Sequence, residues 1–495
     1  MFAASGRFGQ AGARRGKILE TMKRLSRRSF LAASAFVIAM PALRSVSQAA
    51  DVDVVIIGAG AAGIAAARRL AATGQRVVLL EAAASMGGRC ITDSRTFGLP
   101  YDLGAHWLHA PDINPVAKLA PRSGLEVYPA PPGQKLRIAR RNAREGEMED
   151  FLGGIVRANR AIAEAARGKT DVSCAQALPR DLGEWRPTVE FALGPFGCGK
   201  DLSEVSAIDF ARSAERNIDA YCRQGLGTLL AKLADGLTIE LATPATQIDA
   251  RTAGIIQIET GKGRFAARAV IVTASTNVLA SGALKFLPDL PKRQLDALSK
   301  LTLGSYERIA LEFAGNPLGL QRDDLVFEKA QNLRTAALLA NVSGTTLSYV
   351  DVGGKFAREL SARGRGDMTA FALEWLGGLY GGDLKKSLRR SHTTQWSKEP
   401  WILGGVAAAA PGAQPSRRVL MEPLRERIFF AGEALHETMW GSLGGAWESG
   451  ERAADAVLKV FAPPAPVRAQ QPARPQKPAR PQKPARPQKA RRRKV

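Results

Sequence analysis

The 495-residue sequence is poor in the groups that bind metals or form disulfides. It has four histidines and four cysteines (Cys90, Cys174, Cys198 and Cys222), and no two cysteines stand in C-x-x-C spacing. A zinc centre, a thioredoxin-like redox pair and a disulfide framework are therefore not signalled, and scattered buried thiols are the expected state. Long apolar runs are also scarce. The stretch from Phe30 to about Ala42 is shorter than the ~20 residues that span a bilayer. Acidic residues are nearly absent from both ends. Residues 1–50 hold nine Lys/Arg against Glu20 alone, and residues 468–495 hold eleven Lys/Arg and no acid. Most of the net charge of +24 thus sits outside the body of the chain, whereas a nucleic-acid-binding fold would carry it on its folded surface. What remains is a body of ordinary hydrophobic content, 45% for the whole chain, and long enough for two domains.

Both ends read as addresses. Ser26-Arg27-Arg28-Ser29-Phe30-Leu31, the apolar stretch and then Ser47-Gln48-Ala49 supply the basic region, short apolar region and small-residue cleavage site of an export signal. The arginine pair resembles the twin-arginine motif, which implies a periplasmic or otherwise exported protein that folds before it crosses. Met22 offers an alternative start, leaving residues 1–21 as an extension. Residues 473–490 repeat Ala-Arg-Pro-Gln-Lys-Pro, a composition expected to stay extended and without a core. Such a tail either tethers the protein to an anionic envelope surface or only solubilises it; no nucleic-acid partner is expected.

The body opens with a dinucleotide fingerprint. Asp53-Val54-Val55-Ile56-Ile57 predicts a buried parallel strand, followed at once by Gly58-Ala59-Gly60-Ala61-Ala62-Gly63. An Ala-rich helix from Ile64 to Thr73, stopped by Gly74, and a second strand ending on Glu81 complete the unit. In this arrangement Gly58 makes the tight turn, Gly60 lets the backbone approach a pyrophosphate, and Gly63 lets helix and strand pack closely. The helix N-terminus offers N–H groups to the phosphates, with Ala62 in the glycine-rich turn before it, and Glu81 accepts from the adenosine ribose.

After Glu81 the chain continues to Gly87-Gly88-Arg89, which resembles the E-A-x-x-x-x-G-G-R segment of glutathione-reductase-like FAD proteins. Further blocks resemble the flavin monoamine and polyamine oxidases: Leu103-Gly104-Ala105-His106-Trp107-Leu108-His109 with Asn114-Pro115, Ile239 to Ile248 with Ala245, Trp396 to Trp401, Gly432-Glu433, and Gly444-Gly445-Ala446-Trp447. The resemblance implies an α/β fold, a Rossmann-like FAD-binding domain with an inserted α+β substrate domain. The expected division is FAD-binding segments at 51–120, 216–279 and 406–462, substrate-domain segments at 121–215 and 280–405, and a tail at 463–495. It also implies bound FAD and oxidation of an amine C–N bond by hydride transfer to flavin N5, giving an imine and then an aldehyde. The expected acceptor is O2 or a periplasmic carrier.

Departures from the family's pattern bear on chemistry. Where monoamine oxidases carry the cysteine that links to flavin, this chain has Val406, so FAD is expected to be noncovalent. Trp401 matches one wall of the aromatic cage and Ser442 replaces the other. Trp107 stands where amino-acid oxidases place a carboxylate-binding arginine. His109 matches an active-site histidine, suited to steer or deprotonate a cationic amine. Arg308 stands where the family places a lysine beside N5, and it is expected to turn toward Glu307 or Glu312. Two other readings stay open: an amino-acid oxidase, tryptophan-2-monooxygenase-like enzyme or desaturase on the same fold, or a non-catalytic flavin-bearing envelope protein.

Overall fold

The computed structural model describes residues 50–213 and 218–462; the expected export signal and the repetitive tail lie outside the described residues. The chain begins with strand β1 (Val52–Ile57), helix α1 (Ala61–Ala71) and strand β2 (Val77–Leu80). β1 pairs in parallel with β2 and, on its other side, with β3 (Gly263–Val272), placing Val54 opposite Val77 and Ala269. Val54, Val55 and Ile56 are fully buried because both faces of this eight-stranded sheet are covered. One covering layer is α1 packed on the helix Leu443–Phe461. The contact is so close that a Cβ on Gly450 would collide with the carbonyl of Ala62.

Three separated stretches build this sheet: residues 52–80, 239–287 and 428–430. Its extent differs from the sequence expectation in two places. Ile239 to Ile248 is not one strand. Ile239–Glu240 pairs with β2, whereas Ala245–Asp249 pairs with Ile256–Thr260, and Pro244, which has no N–H for a ladder, lies between them. The sheet also does not end at residue 279. Lys285–Leu287 adds a strand beside Gln247–Asp249, and Ala297, Leu298 and Leu303 join the same core. A three-residue strand has too little pattern to announce itself in sequence.

The second sheet has seven strands. Next to its edge strand Leu388–Thr393 lies β4 (Tyr306–Phe313), antiparallel to that strand on one side and to β5 (Leu347–Gly353) on the other. The sheet continues through Ala337–Ala340, Asp324–Glu328 and Lys135–Ile138 to Arg141–Asn142. Helix α2 (Glu145–Ala165) packs by Phe151, Ala158 and Ile162 into a core that includes Leu136 and Phe327 of this sheet. All four cysteines are buried, and burial pushes the Cys222 thiol up to about 11. Among the described residues no helix is long and apolar enough to cross a membrane, and no His/Cys/Asp/Glu group is placed to hold a metal ion.

Candidate active site

A cavity of about 1600 Å³ opens beyond the C-terminal ends of β1 and β2, where Gly58, Leu80 and Glu81 line it. This is where open α/β sheets place ligands. The three fingerprint glycines are required for different reasons. Gly58 has φ +104°, and a Cβ there would run into the Thr273 hydroxyl. A Cβ on Gly63 would collide with the Gly58 carbonyl, so Gly63 serves packing and does not line the cavity. Gly60 has an ordinary φ of −81°, and the nearest protein atom to its virtual Cβ is Gly87 O at 3.8 Å. The protein itself does not demand glycine at 60; close approach of a ligand does. Gly60 N-caps α1, which has no side-chain cap and no acid in its first turn, so the helix end is fit for a pyrophosphate.

Glu81 is buried and its carboxylate spans the turn, accepting from Ala59 N at 2.7 Å and Ala83 N at 2.8 Å. Burial raises its pKa, against the amides of Ala83 and Ala59 that lower it. Arg89 donates to the Gly405 carbonyl and to Glu433 at 2.8 Å, and Glu433 also accepts from Gly441 N at 2.7 Å. The first and last segments of the sheet's layer are thus tied together at the cavity wall. Apart from Gly63, every residue singled out in the sequence for cofactor binding or catalysis lines this cavity. The donor set, the glycine approach and the volume fit FAD.

Arg308 does not turn toward Glu307 or Glu312. Successive strand residues face opposite sides, and the register of β4 on β5 sets Arg308 directly against Asp351. The pair is bidentate, Nε to Oδ1 at 2.8 Å and Nη2 to Oδ2 at 2.9 Å, with Arg308 only 2% exposed. Nη1 donates to the carbonyls of Asp102 at 2.8 Å and Gly104 at 3.0 Å, and the guanidinium lies 4.3 Å from the Tyr349 ring centre. Tyr306 donates its hydroxyl to the same Asp351 at 3.0 Å. Burial opposes the charge on Arg308, but Asp351 more than offsets it and the pKa is raised. Arg308 is a fixed cation that braces the Gly104 turn and stays protonated. Glu307 faces the other way and binds the amides of Trp396 at 2.8 Å and Ser397 at 3.0 Å, while Glu312 pairs with Arg390.

The remaining candidates divide by what their polar atoms touch. His109 Nδ1 lies 2.7 Å from Asp219 Oδ1 across neighbouring strands, with both side chains partly exposed. His106 Nδ1 lies 2.8 Å from Asp102 Oδ2, its ring stacked on Tyr221 at 4.8 Å. Ser442 is not placed as a reacting group. It N-caps helix Leu443–Phe461, accepting from Gly445 N at 3.0 Å and donating to Met439 O at 2.7 Å. Trp401 is 40% exposed and edges the cavity, whereas Trp107 lies inside it with its ring 5.0 Å from Tyr221. Trp440 is buried in the cavity wall, and Trp447 is a core residue of the last helix. The sequence reading missed the carboxylate partners Asp102, Asp219 and Asp351, and the cavity-facing stripe of α2. The partners become visible only through strand register, and an apolar stripe on a helix looks the same in sequence whether it faces a core or a cavity.

The comparisons with known proteins agree with this geometry. Lysine-specific histone demethylase 2 of Homo sapiens is 26% identical over 454 residues, covering 82% of this chain and 53% of that protein. Protein FLOWERING LOCUS D of Arabidopsis thaliana is 26% identical over 444 residues, covering 82% of this chain and 55% of that protein. The chain therefore spans about half the length of these curated relatives. In fold it resembles cyclohexylamine oxidase from Brevibacterium oxydans IH-35A, with TM-score 0.71, 20% identity, and coverage of 83% of this chain and 99% of that one. Wild-type putrescine oxidase bound to putrescine gives TM-score 0.70, 17% identity and coverage of 82% and 99%. The sequence profile of the flavin containing amine oxidoreductases matches residues 61–458, from the first turn of α1 into the last helix, and the chain belongs to that family.

Proposed function

We propose that the protein oxidises the C–N bond of a small-molecule amine with noncovalent FAD. The observation that carries this reading is the continuity of the cavity, which joins the dinucleotide cradle to a chamber under the second sheet. Bound FAD would supply the redox chemistry, a hydride acceptor for the carbon next to a neutral amine nitrogen. The chain's residues bind and orient. The N-terminus of α1 and Glu81 hold the dinucleotide, and Val406 leaves no thiol at the position used for a covalent link. Trp107, Tyr221 and Phe196 wall off water, and His109, held by Asp219, takes a proton from an incoming ammonium in this reading. The resulting imine hydrolyses to a carbonyl compound. Anaerobic mixing with amines and their α-carboxylated counterparts tests this: amines should bleach the flavin absorbance faster. Faster bleaching by amino acids would turn the reading to an amino-acid oxidase, with Arg365 in the cavity wall as the available guanidinium.

The same reading includes export by the twin-arginine route to the periplasm, with O2 or an envelope carrier as acceptor and the basic tail on an anionic surface. The motif at Ser26–Leu31 and the repeat at 473–490 support it. Changing Arg27 and Arg28 to Lys should hold the protein in the cytoplasm, and unchanged localisation would remove this part of the proposal.

A further inference from the structure

The chamber beyond the cradle is walled by apolar groups, and this bears on what the amine carries. α2 turns Phe151, Ile155 and Ile162 into the cavity at helical spacing, with Asn159 at its exposed edge. Facing them are Phe196, Leu325 and Phe327. These residues belong to one hydrophobic cluster that reaches Val406 and Trp440, which also line the cavity beside the cradle residues Gly405 and Gly441. An apolar path therefore leads from the cradle end to the middle of α2, along about 18 Å of helix from position 151 to 163.

Among the described residues, the buried carboxylates in that part of the wall already have partners. Asp219 is held by His109 at 2.7 Å. Asp323 accepts from the Tyr128 hydroxyl at 2.9 Å and the Ser343 amide at 2.6 Å, and Arg322 lies at 3.5 Å. Glu399 lines the cavity near Trp401 but is exposed. A second ammonium carried into the chamber would lose its water and gain no unengaged buried carboxylate among the described residues, which disfavours it. A hydrocarbon chain would gain from the same walls.

We infer that the site selects amines with one cationic nitrogen and an extended apolar substituent, and discriminates against di- and polyamines. The inference rests on the amine-oxidation reading. Its test is a length series on the FAD-loaded full chain: n-alkylamines from four to ten carbons, the matching α,ω-diamines, and spermidine. kcat/KM for flavin reduction should rise by about fourfold per methylene for the monoamines until the chamber is filled. Each diamine should fall at least tenfold below the monoamine of equal length. The n-alkanols, which carry no amine to oxidise, should show the same dependence in their dissociation constants by calorimetry. Ile155→Asp, on the partly exposed helix face, should flatten the monoamine slope and narrow the gap to the diamines. If diamines or spermidine equal or exceed the monoamines, or if kcat/KM and alkanol affinity are indifferent to length, the inference is overturned while amine oxidation stands. If no amine of any kind reduces the flavin, the amine-oxidation reading itself fails.

Discussion

At the scale of single residues, neighbouring glycines make opposite demands. Gly60 has room for a Cβ on the protein side, so Gly60→Val should fold with the apoprotein's circular dichroism and melting temperature unchanged, yet purify colourless and fail to take up FAD. Gly63→Val must push against the Gly58 backbone and should lose soluble expression. A Gly60→Val protein that binds FAD normally would separate the fingerprint from its assigned role. The Arg308–Asp351 pair makes a second contrast. Removing one partner leaves the other charge buried, so Arg308→Ala should cost about 3–5 kcal/mol in urea unfolding. Replacing both, Arg308→Met with Asp351→Leu, should recover a large part of that loss, short of the part due to the Asp102 and Gly104 carbonyls. Equal losses in the single and double variants would mean that the carbonyl bonds, not the ion pair, dominate. The glycines could be read in sequence because each is a steric requirement on the backbone at fixed spacing. Asp351 could not, because nothing at sequence distance 43 marks a cross-strand partner.

Among elements, the β1–α1–β2 unit was the most legible, since strand, turn and helix follow one another and each has its own periodicity. The pieces that escaped are those whose role is set from outside: the split at Pro244, the short strand Lys285–Leu287 and the cavity-facing side of α2. Helix α2 also has a pH-dependent start. Glu147 in its first turn accepts from Arg144 N at 2.8 Å and receives both Arg141 Nη atoms at 2.6 Å. Arg141 is the larger cause, with the Arg144 amide second, and together they lower the carboxyl to about 2. A depressed carboxyl pKa stabilises the fold fully above its unfolded value near 4.5, and the contribution is lost as pH falls toward 2. Glu147→Gln should therefore speed amide exchange in the first turn of α2 at pH 7. The difference from wild type should shrink between pH 4.5 and 2, and also with added salt, because the group is exposed. A difference that persists unchanged at the acid end would remove the carboxylate from the explanation.

In the whole molecule, the cradle is shared by stretches far apart in the chain: residues 58–109, 244–284 and 405–446 all line the one cavity. Without a ligand they are joined by the β1–β3 ladder, the packing of α1 on the last helix and the Arg89–Glu433 bridge. A dinucleotide that touches all three binds the folded chain and not the unfolded one. It should stabilise the protein by about 2.7 kcal/mol at a hundredfold excess over its dissociation constant. The gain should grow linearly with the logarithm of FAD concentration and should be absent from Gly60→Val, whose apoprotein otherwise melts like wild type. Trypsin provides a second readout. FAD should slow cleavage within all three stretches together, because opening any one of them breaks the shared site. Protection confined to residues 58–109 would show that the fingerprint alone holds the dinucleotide and that the later stretches only close the sheet.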